Sequence, residues 1–124
     1  MNLKSKILFY GFSTTDLRKL EIKCDMVNID KQMEKMIIKD ILEVNSNKDI
    51  DENKEEKIIL FNDLKDEQLN NIIPIIRKHF GPAPILAVVT PTSINWSFLD
   101  LKKELLKERE YFNNLQEKKG KENE

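Results

Sequence analysis

Cysteine, histidine and tryptophan each occur once in these 124 residues, and glycine three times. A single cysteine excludes an internal disulfide. Cys24, between a short helix and a strand, reads as a small buried apolar residue, because a reactive thiol needs a neighbour that stabilises the thiolate. One histidine with one cysteine cannot build a zinc site of the usual ligand type, so no metal and no cofactor is expected. A triad-type hydrolase would have to use His79, which sits at a helix end before Phe80-Gly81 and reads as a cation facing the helix dipole. Charge of either sign is not in excess: 21 Lys and Arg against 22 Asp and Glu leave −1. Nothing global therefore attracts a phosphate backbone, and no nucleic-acid partner is expected. The longest apolar run, Ile85 to Val89, is far short of a membrane span, and no apolar segment of signal-peptide length follows the basic start Met1 to Lys6. The expectation is a soluble cytoplasmic protein with no membrane contact.

What is present is 40% hydrophobic and 35% charged residues, the composition of one heavily charged globular domain. Ile7 to Tyr10 and Ile58 to Phe61 are short continuous apolar runs, as expected for strands buried on both faces. The segment Leu8-Phe9-Tyr10-Gly11-Phe12 through Leu17 aligns in apolar pattern with Leu60-Phe61-Asn62-Asp63-Leu64 through Leu69. Each half then continues with a second apolar run, Met26 to Ile29 or Ile85 to Val89, and a helical pattern. An internal repeat of strand, turn, helix, strand, helix is the reading. Ser13 or Thr14 can cap the first helix, Lys65 or Asp66 can open the helix that reaches His79, and Gly81, Pro82 and Pro84 end it. Asp30 can cap a helix over residues 31–43 with Met33, Met36, Ile37 and Ile41 as its apolar face. Ser97 with Asp100 resembles a capping box for a final helix whose stripe is Phe98, Leu101, Leu105, Phe112 and Leu115. Pro74 removes a backbone hydrogen bond inside its helix, which predicts either a kink or a break into two shorter helices.

Residues 45–56 carry five acids and two lysines and read as an exposed, mobile linker between halves 1–44 and 57–116. Residues 117–124 read as a charged flexible tail beyond a single domain over residues 1–116. Alternating strands and helices predict an α/β fold, with two βαβα halves forming a four-stranded, mainly parallel sheet of order 2-1-3-4 flanked by helices. With the halves related by a twofold axis along the strands, the ligand crevice would lie between the loops Tyr10 to Thr15 and Asn62 to Asp66. The loop Thr90 to Trp96 would open at the same end, one strand over. A ferredoxin-like fold is the competitor, and the helix over 31–43 argues against it.

The loop Gly11 to Thr15 follows a strand and opens a helix, where backbone amides can receive an anion. It has one glycine and no following lysine, so neither the P-loop nor the dinucleotide fingerprint is present. Asp63 and Thr90 end strands as in phospho-receiver domains, but Gly11-Phe12 stands where those carry an acidic pair, and no fifth strand exists. The candidate ligand- or partner-binding residues are Asn62, Asp63, Thr90, Thr92, Asn95 and Trp96. The alternative for the last four is a well-made strand-to-helix turn. No nucleophile–base pair gathers around them, so no catalytic residue is assigned.

Thr90-Pro91-Thr92, Trp96, Leu101, Glu104, Leu105 and Glu108, together with Leu60-Phe61-Asn62 and Leu69, resemble the pattern of the bacterial domain of unknown function 3783 family. The resemblance spans about residues 57–110. That family brings no activity, so the resemblance implies domain boundaries alone. The functional reading is a non-catalytic binding or protein-interaction module, with a protein partner or a homodimer reached through the C-terminal helix. The alternative is a small-molecule- or anion-sensing, or enzymatic, domain using the loops at the carboxyl edge of the sheet.

Overall fold

The computed structural model describes residues 5–22, 24–44 and 49–122, with side chains of the last helix described through residue 110. Four strands form one sheet: β1 (Lys6–Tyr10), β2 (Asp25–Ile29), β3 (Ile58–Asn62) and β4 (Ile85–Val88), in the order β2-β1-β3-β4. β1 is parallel to β2 and β3 to β4, whereas β1 and β3 pair antiparallel with Leu8 opposite Leu60. The sheet is thus mixed but mostly parallel, as the alternating element order implies. Helices α1 (Thr14–Arg18), α2 (Ile38–Ile41), α3 (Asp66–Phe80) and α4 (Phe98–Glu122) flank it. No described helix is long and apolar enough to cross a membrane.

The central strands are sealed on both sides. Ile7, Phe9, Ile59 and Phe61 join Leu17, Leu20, Ile72 and Ile76 on one face, under α1 and α3. Leu8, Tyr10, Ile58 and Leu60 join Ile38, Ile41, Phe98, Leu101 and Leu105 on the other, under α2 and α4. Each fully buried side chain of this kind contributes about 1.5–3 kcal/mol by leaving water. Phe98, Leu101 and Leu105 are consumed by this core, so the start of the α4 stripe faces the sheet rather than a partner. Phe112 and Leu115 lie outside the described side chains.

The antiparallel β1–β3 join corrects the expected crevice. Reversing one half places α1 and α3 on one face and α2 and α4 on the other, so the symmetry relating the halves runs perpendicular to the sheet, not along the strands. The carboxyl ends of β1 and β3 then lie at opposite ends of the sheet. The loops Tyr10 to Thr15 and Asn62 to Asp66 therefore cannot border one cleft. Lys6, opposite Asn62 in the ladder, is buried and donates to the carbonyls of Leu42 (2.5 Å) and Val44 (3.3 Å), closing the carboxyl end of α2.

The helix expected over 31–43 is two short pieces. A 3₁₀ turn, Gln32–Lys35, and α2 are separated by Met36 and Ile37 in extended conformation. The cause is tertiary: the Ile38 N–H donates to the Trp96 carbonyl and the Phe98 N–H to the Met36 carbonyl, each at 2.9 Å. Helical geometry at 36–37 would forfeit this pair. Ile37 consequently points out, 43% exposed, while Ile38 is fully buried.

The described part of the acidic linker is exposed but tethered. Thr14 exchanges two hydrogen bonds with Ile50, each 2.8 Å, and the Lys54 N–H donates to the Gly11 carbonyl at 2.8 Å. Gly11 has φ +91°, and a Cβ there would lie 2.2 Å from the Glu56 carbonyl oxygen, so only glycine lets the linker settle on this loop.

Helix α3 is continuous through Pro74, so the expected break into two shorter helices does not occur. Pro74 and Asn70 are both exposed, so the Asn70 carbonyl that loses its helical donor is open to solvent, and buried Ile72 and Ile76 hold the helix to the sheet. Restoring the hydrogen bond should stabilise the fold: Pro74→Ala is expected to raise the unfolding free energy by about 2 kcal/mol in urea titrations. An unchanged or lower value would show that the proline is already accommodated without cost.

Candidate functional site

The segment after β4 is built from short side chains that fold back on their own backbone. The Thr90 N–H donates to Ser93 Oγ and the Ser93 N–H to Thr90 Oγ1, each at 2.9 Å, with the two hydroxyls 3.1 Å apart. The Asn95 amide reaches the Pro91 carbonyl at 3.3 Å. These bonds wind a 3₁₀ turn, Ser93–Asn95, after which Trp96 is extended and Ser97 caps α4 through the Asp100 N–H at 3.2 Å. In the first half the same device recurs with a carboxylate: Asp30 Oδ1 accepts from the Met33 N–H at 2.9 Å.

The two extended stretches then meet. Ile37 and Ser97 form an antiparallel bridge, flanked by the two reciprocal hydrogen bonds, on the α2–α4 side of the sheet. Trp96 is 37% exposed and Ile37 43%, one large apolar side chain on each strand of the bridge, on opposite faces of the ribbon by strand alternation. Exposed apolar residues are ordinary singly, but an exposed tryptophan, the one in the sequence, on a backbone held by a bridge has the character of a contact anchor.

The other candidates are placed as follows. Thr92 and Asn95 are exposed beside Trp96, and Thr90, also exposed, is engaged with Ser93. Asn62 is buried at the end of β3. Asp63 is exposed, adopts the left-handed conformation at φ +56°, and its carbonyl accepts the Ser5 hydroxyl at 2.6 Å. Aspartate tolerates this conformation better than most residues, which fits a turn role. The structure thus brings Thr90, Thr92, Asn95 and Trp96 together on one segment, with Asn62 and Asp63 at the same end of the sheet.

A polar cluster on the α2–α4 face has no counterpart in the sequence reading. The Tyr10 hydroxyl donates to Glu34 Oε1 at 2.8 Å and accepts from Lys102 Nζ at 3.1 Å, and Lys102 is 3.2 Å from the same carboxylate oxygen. The Tyr10 ring packs on Phe98, with centroids 4.8 Å apart. Burial opposes the charge on Glu34, yet the Tyr10 hydrogen bond and the Lys102 ammonium outweigh it and hold the carboxyl below its usual range. Burial likewise opposes the charge on Lys102, but Tyr10 and Glu34 hold its pKa above the ordinary lysine value. Lys102 is therefore a firmly charged strut joining α4 to β1 and the first 3₁₀ turn, not a free amine nucleophile. Cys24 is shifted in the opposite sense, against its charged form: burial, then the Asp25 charge, push its thiol up, away from the reactive thiolate.

Residues 57–112, from the edge of β3 into α4, match the family model described as a domain of unknown function. This segment is a domain of unknown function 3783. The boundaries agree with the resemblance over about residues 57–110. The DUF3783 segment supplies Trp96, Ser97 and Lys102, whereas Tyr10, Glu34, Met36 and Ile37 come from the half outside it, so the bridge and the polar cluster each straddle its border. No curated protein and no solved structure matches the chain.

Because Glu34 is held below its ordinary pKa of 4.5, its stabilising contribution is present above that value and is lost as pH falls through the folded-state pKa. Glu34→Gln is expected to lower the unfolding free energy by about 1 kcal/mol at neutral pH. The gap between the two proteins should close in acid, as read from denaturation curves across the acidic range. A gap independent of pH would mean that the carboxylate charge contributes nothing.

Proposed function

We propose that this chain is a cytoplasmic, non-catalytic protein-interaction module whose contact surface is centred on Trp96 and Ile37, with Thr92 and Asn95 on its rim. The observation that carries this reading is the exposure of Trp96 and Ile37 on the two strands of one bridge. The two strands are held by the Ile38–Trp96 and Phe98–Met36 backbone hydrogen bonds, so both side chains stand on a rigid frame with little backbone entropy left to lose on binding. Aromatic anchors on rigid frames are typical of binding hot spots, and short polar side chains such as Thr92 and Asn95 suit the surrounding rim. The matching roles of Asp30 with Thr90, and of Ile38 with Phe98, support reading the two halves as an internal repeat that frames this surface. Exposed Asp63 belongs to the periphery of the proposed contact, whereas buried Asn62 takes no part in it.

A second reading, small-molecule sensing, is favoured by one feature. A cavity of about 340 Å³ opens at the carboxyl ends of β1 and β2, with Gly11, Phe12, Asp30, Lys31, Ile50 and Lys54 among its walls. Its size is near the lower end for small-molecule sites. The described linker forms one wall, so occupation of this cavity would act on the tether between linker and loop.

Site-specific photo-crosslinking in living cells tests the first reading. A crosslinker placed at position 37 and, separately, at position 96 should capture the same protein, whereas one at exposed Glu67 on the other face should not. Trp96→Ala should abolish capture from position 37 while shifting the melting temperature by only about 1–3 °C, since the side chain is partly exposed. Different captured proteins at the two positions, or the same one from Glu67, would remove the basis for a contact surface at the bridge.

A further inference from the structure

Strand β4 forms one edge of the sheet, and its residues Ile85, Leu86, Ala87 and Val88 include no charge, no proline and no bulge. The opposite edge, β2, carries Asp25 and Asn28. Charge and proline are the usual devices that keep an edge from pairing, and β4 lacks both along its length. Val88 is 56% exposed. We propose that β4 is the interface for a second copy of this chain, which adds its own β4 antiparallel across a twofold axis at Ala87 to make a continuous eight-stranded sheet.

The register follows from which backbone groups remain available. The Ile85 N–H donates to the Lys57 carbonyl and the Val89 N–H to the Phe61 carbonyl, so those residues face β3. In a parallel ladder the alternate residues, Leu86 and Val88, direct their N–H and C=O groups outward. A twofold axis at Leu86 would set Val88 against Pro84, which has no N–H and whose carbonyl already accepts from Arg77 at 3.1 Å. An axis at Val88 would set Leu86 against Thr90, whose N–H is committed to Ser93. Only the axis at Ala87 pairs Leu86 of each copy with Val88 of the other. That register also covers Val88 with an apolar neighbour and leaves the smallest side chain of the strand at the axis.

The helix above the edge carries the matching charge. α3 packs on β3 and on Leu86 of β4, and has Asp66 and Glu67 in its first turn and Arg77, Lys78 and His79 in its last. Arg77 borders the groove along β4, and Asp66, about three helical turns earlier, lies on the same flank. The twofold axis lays the two α3 helices antiparallel, so the basic end of each meets the acidic end of the other and their dipoles oppose. With strands about 4.8 Å apart and each helix seated over its own β3–β4 seam, the helix axes fall roughly 10 Å apart, an ordinary packing distance.

The test is sedimentation equilibrium of the full chain and of Val88→Lys, with amide hydrogen exchange on the same samples. The full chain should dimerise reversibly, and more weakly in high salt. Val88→Lys should weaken association at least about tenfold with an unchanged melting curve, because the side chain is exposed in the monomer. The Leu86 and Val88 amides should gain protection as concentration rises, and Asp66→Lys should weaken the dimer in a second, independent way. A monomer at every accessible concentration, a dimer that Val88→Lys leaves intact, or a dimer in which the Leu86 and Val88 amides stay unprotected would overturn the proposal.

Discussion

The antiparallel pairing of β1 with β3 is the constraint from which the rest of this molecule follows. It sets Leu8 against Leu60 at the centre of the sheet and sends the two halves in opposite directions. Both faces of both strands are then sealed by helices. The reversal also decides where loops lie: the Gly11 loop with its linker tether goes to one end, the Asn62 and Thr90 loops to the other. Above the same central pairing, the halves meet a second time through the Ile37–Ser97 bridge. A join made at two levels, sheet and helix layer, resists sliding and rotation better than a single ladder.

The polar cluster of Tyr10, Glu34 and Lys102 works at this second level. It ties β1, the first 3₁₀ turn and α4 at one point, with every polar atom named in it given a partner, which is the condition for a half-buried charge to add specificity rather than cost. Across the middle the Thr90–Trp96 segment gives up the Trp96 carbonyl, and its own turn takes up most of the remaining backbone groups. What is left facing outward is side chain: Trp96, Thr92 and Asn95. A segment with a rigid, internally satisfied backbone and an exposed aromatic tip is suited to recognition, and the hydrogen bonds of Thr90 with Ser93 explain why those residue types stand there.

Much of the architecture was legible in the residues. Continuous apolar runs marked β1 and β3, and turn chemistry marked the caps at Ser13 and Ser97. The strand order followed from the two similar halves. The direction of one half relative to the other was not legible, because a strand that is apolar on both faces reads the same whichever neighbour it has. The split of residues 31–43 was hidden for a different reason. Met33, Met36, Ile37 and Ile41 satisfy helical spacing, and the break at Met36–Ile37 is imposed by a partner some sixty residues away in the chain. Tyr10, Glu34 and Lys102 come from three separated segments, so no local spacing could bring them together. For Trp96 the residue was legible as a candidate and its exposure was not, since an aromatic before a helix can equally be a staple under it.

The most direct measurement of this account is native-state hydrogen exchange at the Ile38 and Phe98 amides, the two donors that close the bridge between the halves. If the halves are joined at both levels, these amides exchange only through global unfolding and match the slowest amides of β1 and β3. Exchange orders of magnitude faster than those strand amides would contradict it, and would reduce the meeting of the halves to the sheet alone.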